Sequence, residues 1–465
     1  MGLRSDWREQ LQKSHRELGF QYVRFHGLLD DAMSVCVREA GDSGGQSRLR
    51  YSFFNIDSIF DFLLSMGMKP FIELSFMPSG LASGSTTCFY YRANVTPPAD
   101  FSQWETLIRT LAQHLVDRYG LEEVRLWFFE VWNEPNLTFF WAGSQEEYFR
   151  LYAHSARAIK SVDRALRVGG PATSVNSWIA EMLEFCLSSG TPIDFVSTHH
   201  YPTDDPLWKH GGLSMEEISE QFTSEMGKYE RGILRKMTEK TRAEAGDLPL
   251  YYTEWNTSAV LPDPVHDEPY SAAMVAKTIA DNAGLVEAYS FWTFSDLFEE
   301  AGQFSAPFHG GYGLQTIQGI PKPTYRIFEM LHNAGNLRLP VEGGIGSTVE
   351  ILATRDQSKL SLLAYNHNVP AAEINTEEIS ISVKDVWPDR PISISRIDQD
   401  NANPKQKWLE LGSPEYPTSS ELVEIEKASR VIARDLPYEH NEEGITLNFL
   451  LPSHGVVSIT INTAP

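Results

Sequence analysis

Short apolar runs recur through the first 334 residues, separated by longer stretches with helical spacing. The runs cover 20–26, 69–75, 124–131, 167–170, 195–200, 250–255 and 288–293, and most are dense in Val, Ile, Phe, Tyr and Trp. Strands buried on both faces read this way, because neither face needs to alternate toward water. Between them, Trp104, Leu107, Ile108, Leu111 and Leu115 fall on one face of a helix. A capping box at Ser102 and Glu105 opens that helix, and Gly120 stands where a left-handed glycine would end it. Ser144 with Glu147, and Ser214 with Glu217, repeat the capping pattern before two more helices. Strand–helix alternation over this length predicts a parallel sheet closed as a (β/α)₈ TIM barrel spanning 1–334.

From 335 onward the period changes. Segments 348–354, 360–366, 378–383, 392–397 and 455–461 alternate apolar and polar residues, with turns rich in Pro, Asn and Gly between them. A period of two with such turns predicts an antiparallel β-sandwich as a second domain over 335–465.

Charge narrows the partners. With 62 acids against 39 bases the formal net charge is −23, which repels phosphate backbones and anionic membranes. A neutral substrate suits that balance, and neither nucleic acid nor membrane is expected as a partner. Cys36, Cys88 and Cys186 are far apart and lack metal-ligand spacing, which fits a reducing compartment. The start MGLRSDWREQLQKSH has no apolar signal region, and no run approaches a membrane span, so a cytoplasmic location is expected. Asn94, Asn136 and Asn256 open glycosylation sequons, read as chance matches without a secretory route.

Two glutamates leave apolar runs in matching contexts. Glu134 lies in Phe129-Glu130-Val131-Trp132-Asn133-Glu134-Pro135-Asn136, and Glu254 in Tyr251-Tyr252-Thr253-Glu254-Trp255-Asn256. A single strand-end Glu is ordinarily a solvated loop residue or an arginine partner. Two of them, at the strand ends that converge on a barrel's active face, point to a working carboxyl pair. Breaking a glycosidic bond requires such a pair, one protonated to assist the leaving oxygen and one ionised on the opposite face of the sugar. Trp132, Trp255 and Trp292 are candidate platforms for a sugar ring.

The strings GFQYVRFHGLLDD (19–31), FMPSGLASG (76–84), NVTPP (94–98), FFEVWNEPNL (128–137), RVGGPA (167–172), TEWNTS (253–258), PVHD (264–267), SFWTFSDLFEE (290–300), FHGGYGL (308–314) and KP (322–323) span nearly the whole barrel. Together they resemble glycoside hydrolase family thirty-nine, the β-xylosidase and α-L-iduronidase family. The resemblance implies a retaining double displacement, with Glu134 as general acid/base and Glu254 as nucleophile. It further implies that Asn133 hydrogen-bonds the sugar 2-hydroxyl and that His26, His199 and Tyr201 line the sugar pocket. Glu299 or Glu300, with Trp292, would meet the remaining hydroxyls and the ring face, and Phe89 and Phe140 would form aromatic walls. Of the neighbours His199 and His200 only one can face the barrel centre, and the motif selects His199. His266-Asp267 has no third ligand at metal spacing and reads as loop structure, so neither metal nor cofactor is expected.

The strings around Glu254 and Glu299 carry no basic residue, whereas a uronide substrate needs a cation for its carboxylate. The expected activity is therefore an exo-acting β-xylosidase, taking a neutral oligosaccharide or an aryl or alkyl glycoside. The alternatives are an α-L-iduronidase, another β-glycosidase of the same fold, or a sugar-binding protein without turnover. Homo-oligomer formation is left open. In the family's strand count, with Glu134 after the fourth strand and Glu254 ending the seventh, 20–26 becomes the second strand. Only MGLRS precedes the first helix, so a barrel lacking its first strand is expected, with two exposed edges and reduced stability.

Overall fold

The seven apolar runs become seven parallel strands that hydrogen-bond side by side in chain order. They are β1 (Tyr22–Val23), β2 (Lys69–Glu73), β3 (Phe128–Glu130), β4 (Arg167–Thr173), β5 (Phe195–His200), β6 (Leu250–Trp255) and β7 (Ala288–Phe291). The computed structural model describes residues 1–39, 47–204, 229–370 and 372–462. Alternation along the strands sorts their side chains. Phe71, Phe128, Phe195 and Tyr251 meet inside the curled sheet with ring centroids 4.7–6.0 Å apart. Their neighbours Ile72 and Phe129 face outward into a core shared with Leu107, Ile108 and Leu111 of the helix Phe101–Tyr119. Two residues along the inner face from Phe71 and Phe128 come Glu73 and Glu130, paired in register. An aromatic floor therefore carries a layer of charge, and the site sits above it.

The described helices of the barrel are α1 (Ser5–Leu18), α2 (Phe54–Ser65), α3 (Phe101–Tyr119), α4 (Gln145–Val162), α5 (Ile179–Ser189), α6 (Ile233–Ala245), α7 (Pro269–Asn282) and α8 (Pro323–His332), with a short turn at Leu121–Val124. The capping box at Ser144 and Glu147 forms as read. That at Ser102 does not: Asp100 is the N-cap of α3, accepting from the Ser102 N–H at 2.8 Å, so Ser102 lies in the first turn. The run 124–131 is also shorter as a strand than expected. Gly120, at φ 87°, ends α3, and Leu121-Glu122-Glu123 restart a helical turn before β3 begins at Phe128. The Ser214 and Glu217 pair lies outside the described residues.

Among the described residues the parallel sheet has seven strands rather than the eight of a closed barrel, and β1 and β7 form its two edges. Between those edges lies a cavity of about 780 Å³, lined from Phe71 and Phe128 at the floor up to His26, Trp292 and Glu300.

After α8 the chain forms two antiparallel sheets. The larger orders Leu337–Leu339, Val349–Arg355, Lys359–Asn366, Val456–Asn462, Ser393–Ile397 and Arg434–Asp435. The smaller orders Glu377–Lys384, Gly444–Leu451 and Tyr438–Asn441. Ile394, Leu447 and Ile459 share the core between them. Two helices, α9 (Pro404–Glu410) and α10 (Ser419–Ala428), interrupt the β-structure and pack Trp408 and Ile425 against Phe308 and Ile320 of the barrel. Among the described residues no helix is long and apolar enough to cross a membrane. Cys36, Cys88 and Cys186 are buried free thiols.

Candidate active site

Glu254 enters the barrel through a fault in β6. The register against β5 shifts between Tyr252 and Glu254, leaving Thr253 as an extra residue. A regular strand would send Thr253 and Glu254 to opposite faces, whereas the bulge lets both reach inward. Thr253 Oγ1 donates to Glu130 Oε1 at 2.7 Å while Glu254 Oε1 accepts from Arg24 Nη1 at 2.7 Å. Glu134 is delivered by a different irregularity, the turn after β3. Trp132 (φ 71°) and Glu134 (φ 43°) both occupy the left-handed region, which non-glycine residues enter only when their surroundings hold them there. The Glu134 N–H is tied to the Ala172 carbonyl at 2.8 Å, and the Leu137 N–H returns to the Glu134 carbonyl at 3.0 Å.

Arg24 organises the layer beneath. Its guanidinium reaches Glu130 Oε2 at 2.6 Å, Glu73 Oε2 at 2.9 Å, Glu254 Oε1 at 2.7 Å and Asn133 Oδ1 at 2.8 Å. Since Arg24 can only donate, the amide oxygen of Asn133 must face it. That leaves Asn133 Nδ2 buried without a protein partner, a free donor beside the carboxyl pair. His26 adds a second cation. Burial opposes its charge, but Glu73 at 2.7 Å, Glu300 at 3.3 Å and Glu254 at 3.6 Å outweigh it and push the imidazole up to about 10.

Burial raises both glutamates, and their neighbours oppose it differently. Burial pushes Glu134 up to about 7, with His26 and Arg24 too weak to hold it down. Burial also raises Glu254, yet Arg24 and His26 pull against it and Tyr201 donates to its Oε2 at 3.0 Å. One oxygen from each carboxyl and a ring nitrogen of His199 lie within 4.8 Å of one another. An oxygen–oxygen approach within that bound agrees with the ~5–5.5 Å carboxyl separation of pairs that act by nucleophilic attack. The same three groups have a spacing that could seat a cation. The neighbouring Arg24 and His26 already supply the positive charge such an ion would bring.

The remaining expected residues divide. Trp292 packs against His26 with centroids 4.6 Å apart, and Phe89 and Phe140 flank the same imidazole at 5.9 and 6.3 Å. Glu300 joins them through His26, whereas Glu299 turns outward with its side chain 43 % exposed. His199 faces inward as expected, but with 0 % exposure its two nitrogens are taken by Glu134 and Thr253. His200 turns to Tyr289 and stacks on Tyr252. Two of the three tryptophans offered as platforms belong to the core instead: Trp132 donates to the Phe140 carbonyl at 2.9 Å, and Trp255 stacks on Tyr289 at 4.3 Å. His266 and Asp267 are loop structure. The ring bonds to the Gly310 and Ser258 carbonyls, while Asp267 meets Lys322 at 2.7 Å, with Asp296 on the other side of the same buried ammonium. This node braces the glycine-rich turn, where a Cβ on Gly313 would come within 2.3 Å of the Asp296 nitrogen.

Arg24 is the residue that reading along the sequence missed, and it amends the charge argument, because a basic group does contact Glu254. Its signal was present: Arg24 is two residues from His26 in a buried run, hence on the same face. Arg24→Lys keeps a charge but cannot span four acceptors, forfeiting charge-assisted bonds of about 1.5–3 kcal/mol, roughly ten- to a hundredfold in kcat/KM. With less positive charge on it Glu254 titrates higher, so the acidic limb of the pH–rate profile should move up. A limb that stays in place would show that Arg24 does not tune Glu254.

The sequence profile of glycosyl hydrolases family 39 matches residues 1–443. A β-xylosidase of Caldicellulosiruptor saccharolyticus is 51 % identical over 463 residues, covering 99 % of this chain and 92 % of its own. A β-xylosidase of Geobacillus stearothermophilus is 36 % identical, covering 92 % and 84 %. Among solved structures, a monomeric β-xylosidase from Caulobacter crescentus superposes with a TM-score of 0.84 at 34 % identity, covering 99 % of this chain and 94 % of that one.

Proposed function

The chain belongs to glycosyl hydrolase family 39, whose enzymes are retaining glycosidases, and from that premise we propose that it is an exo-acting β-xylosidase using Glu134 and Glu254. The observation that carries the roles is the difference in surroundings of two carboxyls that bring an oxygen of each within 4.8 Å, one pushed up to about 7 and the other bonded by Arg24 and Tyr201. Glu254 attacks the anomeric carbon as the glycosidic C–O bond breaks, and the Glu134 proton passes to the departing oxygen. In the second step Glu134 takes a proton from water, whose oxygen displaces Glu254 from the sugar. Asn133 Nδ2 supplies the donor for the 2-hydroxyl, and Trp292 with Phe89 and Phe140 encloses the sugar.

Two features support a neutral pentose. The cations beside the pair, Arg24 and His26, are already paired with Glu73, Glu130, Glu254 and Glu300, so neither is free for a substrate carboxylate. The names of the two bacterial relatives agree with a xylo-configured sugar. Hydrolysis of an aryl β-D-xylopyranoside is therefore expected to exceed that of the β-D-glucoside by about 10–200-fold, the range a pocket achieves against one added carbon group. Proton NMR should show β-xylose as the first-formed product. Preferred cleavage of the α-L-iduronide or the glucoside would replace this reading, and folded protein that binds xylose without cleaving any glycoside would make it a binding protein.

A further inference from the structure

Glu130, Thr253, His199 and Glu134 form one hydrogen-bonded line across the barrel, linked at 2.7, 3.1 and 3.0 Å. The direction of each bond follows from counting protons. Glu130 is salt-bridged to Arg24, accepting from Nε on Oε2 at 2.6 Å, and the single hydroxyl proton of Thr253 goes to its other oxygen. Thr253 Oγ1 then has only a lone pair for His199, and His199 Nε2 must donate to it. In a neutral imidazole that leaves Nδ1 as a bare acceptor, with Glu134 Oε1 at 3.0 Å and Glu254 Oε2 farther off at 3.6 Å.

We propose that Thr253 and His199 are positioning residues that fix the proton on Glu134, Thr253 by locking the imidazole as the Nε2–H tautomer and His199 by offering Glu134 a lone pair in place of a donor. A carboxylate at Glu134 would confront that lone pair; a carboxylic acid donates to it. Complete burial, which holds His199 neutral down to about 4, supports the same assignment. When substrate enters, its glycosidic oxygen replaces Nδ1 as acceptor of the Glu134 proton. After that proton has left, the unfavourable pairing with Nδ1 makes the Glu134 carboxylate a stronger base toward water in the second step. The bulge in β6 gains a purpose from this: it puts the tautomer lock and the nucleophile on consecutive residues.

Other groups also face Glu134, and they are held apart from the proposal by the variant chosen. His26, Arg24 and a hydrogen bond from Ser174 lower it, Glu73, Glu254 and Glu300 oppose its ionisation, and Tyr201, Asp204 and Tyr312 lie in the same field. None of these changes in Thr253→Val. Freed from its acceptor, His199 can turn its proton to Nδ1 and donate to an ionised Glu134. A charge-assisted bond gained by the ionised form should bring the basic limb of kcat/KM down by about 1–2 pH units. Thr253→Ser, which keeps the hydroxyl, should restore the parent limb. A purely structural threonine would lower kcat without moving the limb, and an unmoved limb in Thr253→Val would overturn the proposal.

The kinetic arm rests on the β-xylosidase reading and is run on an aryl β-xyloside with a poor leaving group, where acid assistance governs the rate. A parent enzyme inactive on every xyloside would count against that reading. The second arm needs no substrate and no altered fold: ¹⁵N NMR of the histidine-labelled parent, with His199 assigned by its absence in His199→Gln. An unprotonated Nδ1 with a protonated Nε2 at neutral pH is expected. A protonated Nδ1 would overturn the assignment whatever the substrate proves to be.

Discussion

Glu254→Ala is expected to lower kcat/KM by about 10⁴- to 10⁶-fold, the scale on which loss of an enzymatic nucleophile is felt. The loss should come without loss of fold. Burial raises the Glu254 carboxyl, so its charged form costs the native state free energy that the unfolded chain does not bear. Removing it relieves that cost, while Arg24 keeps Glu73 and Glu130 as partners. The thermal midpoint should therefore stay at or above that of the parent, as happens where function and stability pull apart. Azide supplies the sharper test. Entering the space the carboxylate leaves, it should attack the same face of the sugar and give the α-xylosyl azide, with partial recovery of rate. Recovery without that product, or an inactive protein that has also unfolded, would count against Glu254 as nucleophile.

The features that betrayed this site were those that depend on sequence position alone. Glu134 and Glu254 stood out because each follows an apolar run, and the runs themselves locate β1 to β7, though 20–26 and 124–131 shorten to Tyr22–Val23 and Phe128–Glu130. What alternation could not give was the bulge in β6. From the pattern, Thr253 should face away from Glu254, and only the register shift brings both inside. The tryptophans misled for a related reason: an aromatic beside a catalytic motif reads as a sugar platform, yet Trp132 and Trp255 are consumed by the packing that holds the strand ends in place. Asp100 displaced Ser102 as the cap of α3 because both types cap well and only geometry chooses between them. Thr418 and Glu421, by contrast, spell a capping box that was legible and overlooked, and it opens α10 in the middle of the β-structure.

The two carboxyls stand on one buried charge system, which explains why neither can be understood alone. Arg24 serves Glu254 directly and, through Glu130, fixes which way Thr253 points. The same guanidinium orients Asn133 so that its free N–H₂ meets the substrate. Taking Arg24, the shared cation, out of this buried network would cost about 3–5 kcal/mol, since the carboxylates left behind are no longer compensated. The side chains of Arg24, Glu73 and Glu130 are almost wholly buried above the aromatic floor of Phe71, Phe128, Phe195 and Tyr251, so the charges are balanced chiefly by one another.

Glu134→Gln should separate the acid/base from the nucleophile. Glutamine has nearly the same shape and can still donate to His199 Nδ1 through its amide, so the pocket keeps its hydrogen bonds and loses only the transferable proton. The loss in kcat/KM should scale with the leaving group, reaching about 10²- to 10⁴-fold for alkyl and poor aryl xylosides and shrinking toward none for a dinitrophenyl xyloside that departs unaided. The sign of the pH effect follows from the same proton. Parent activity needs Glu134 protonated and should fall as pH rises through about 7; the variant has no such proton and should lose that limb. With the base for the second step also gone, the xylosyl-enzyme should accumulate on activated substrates, seen as a burst of released phenol. Azide should then attack the intermediate from the face opposite Glu254 and give the β-xylosyl azide, the opposite anomer to that expected from Glu254→Ala. Equal losses on all leaving groups, or a basic limb that survives the substitution, would remove Glu134 from the role of acid.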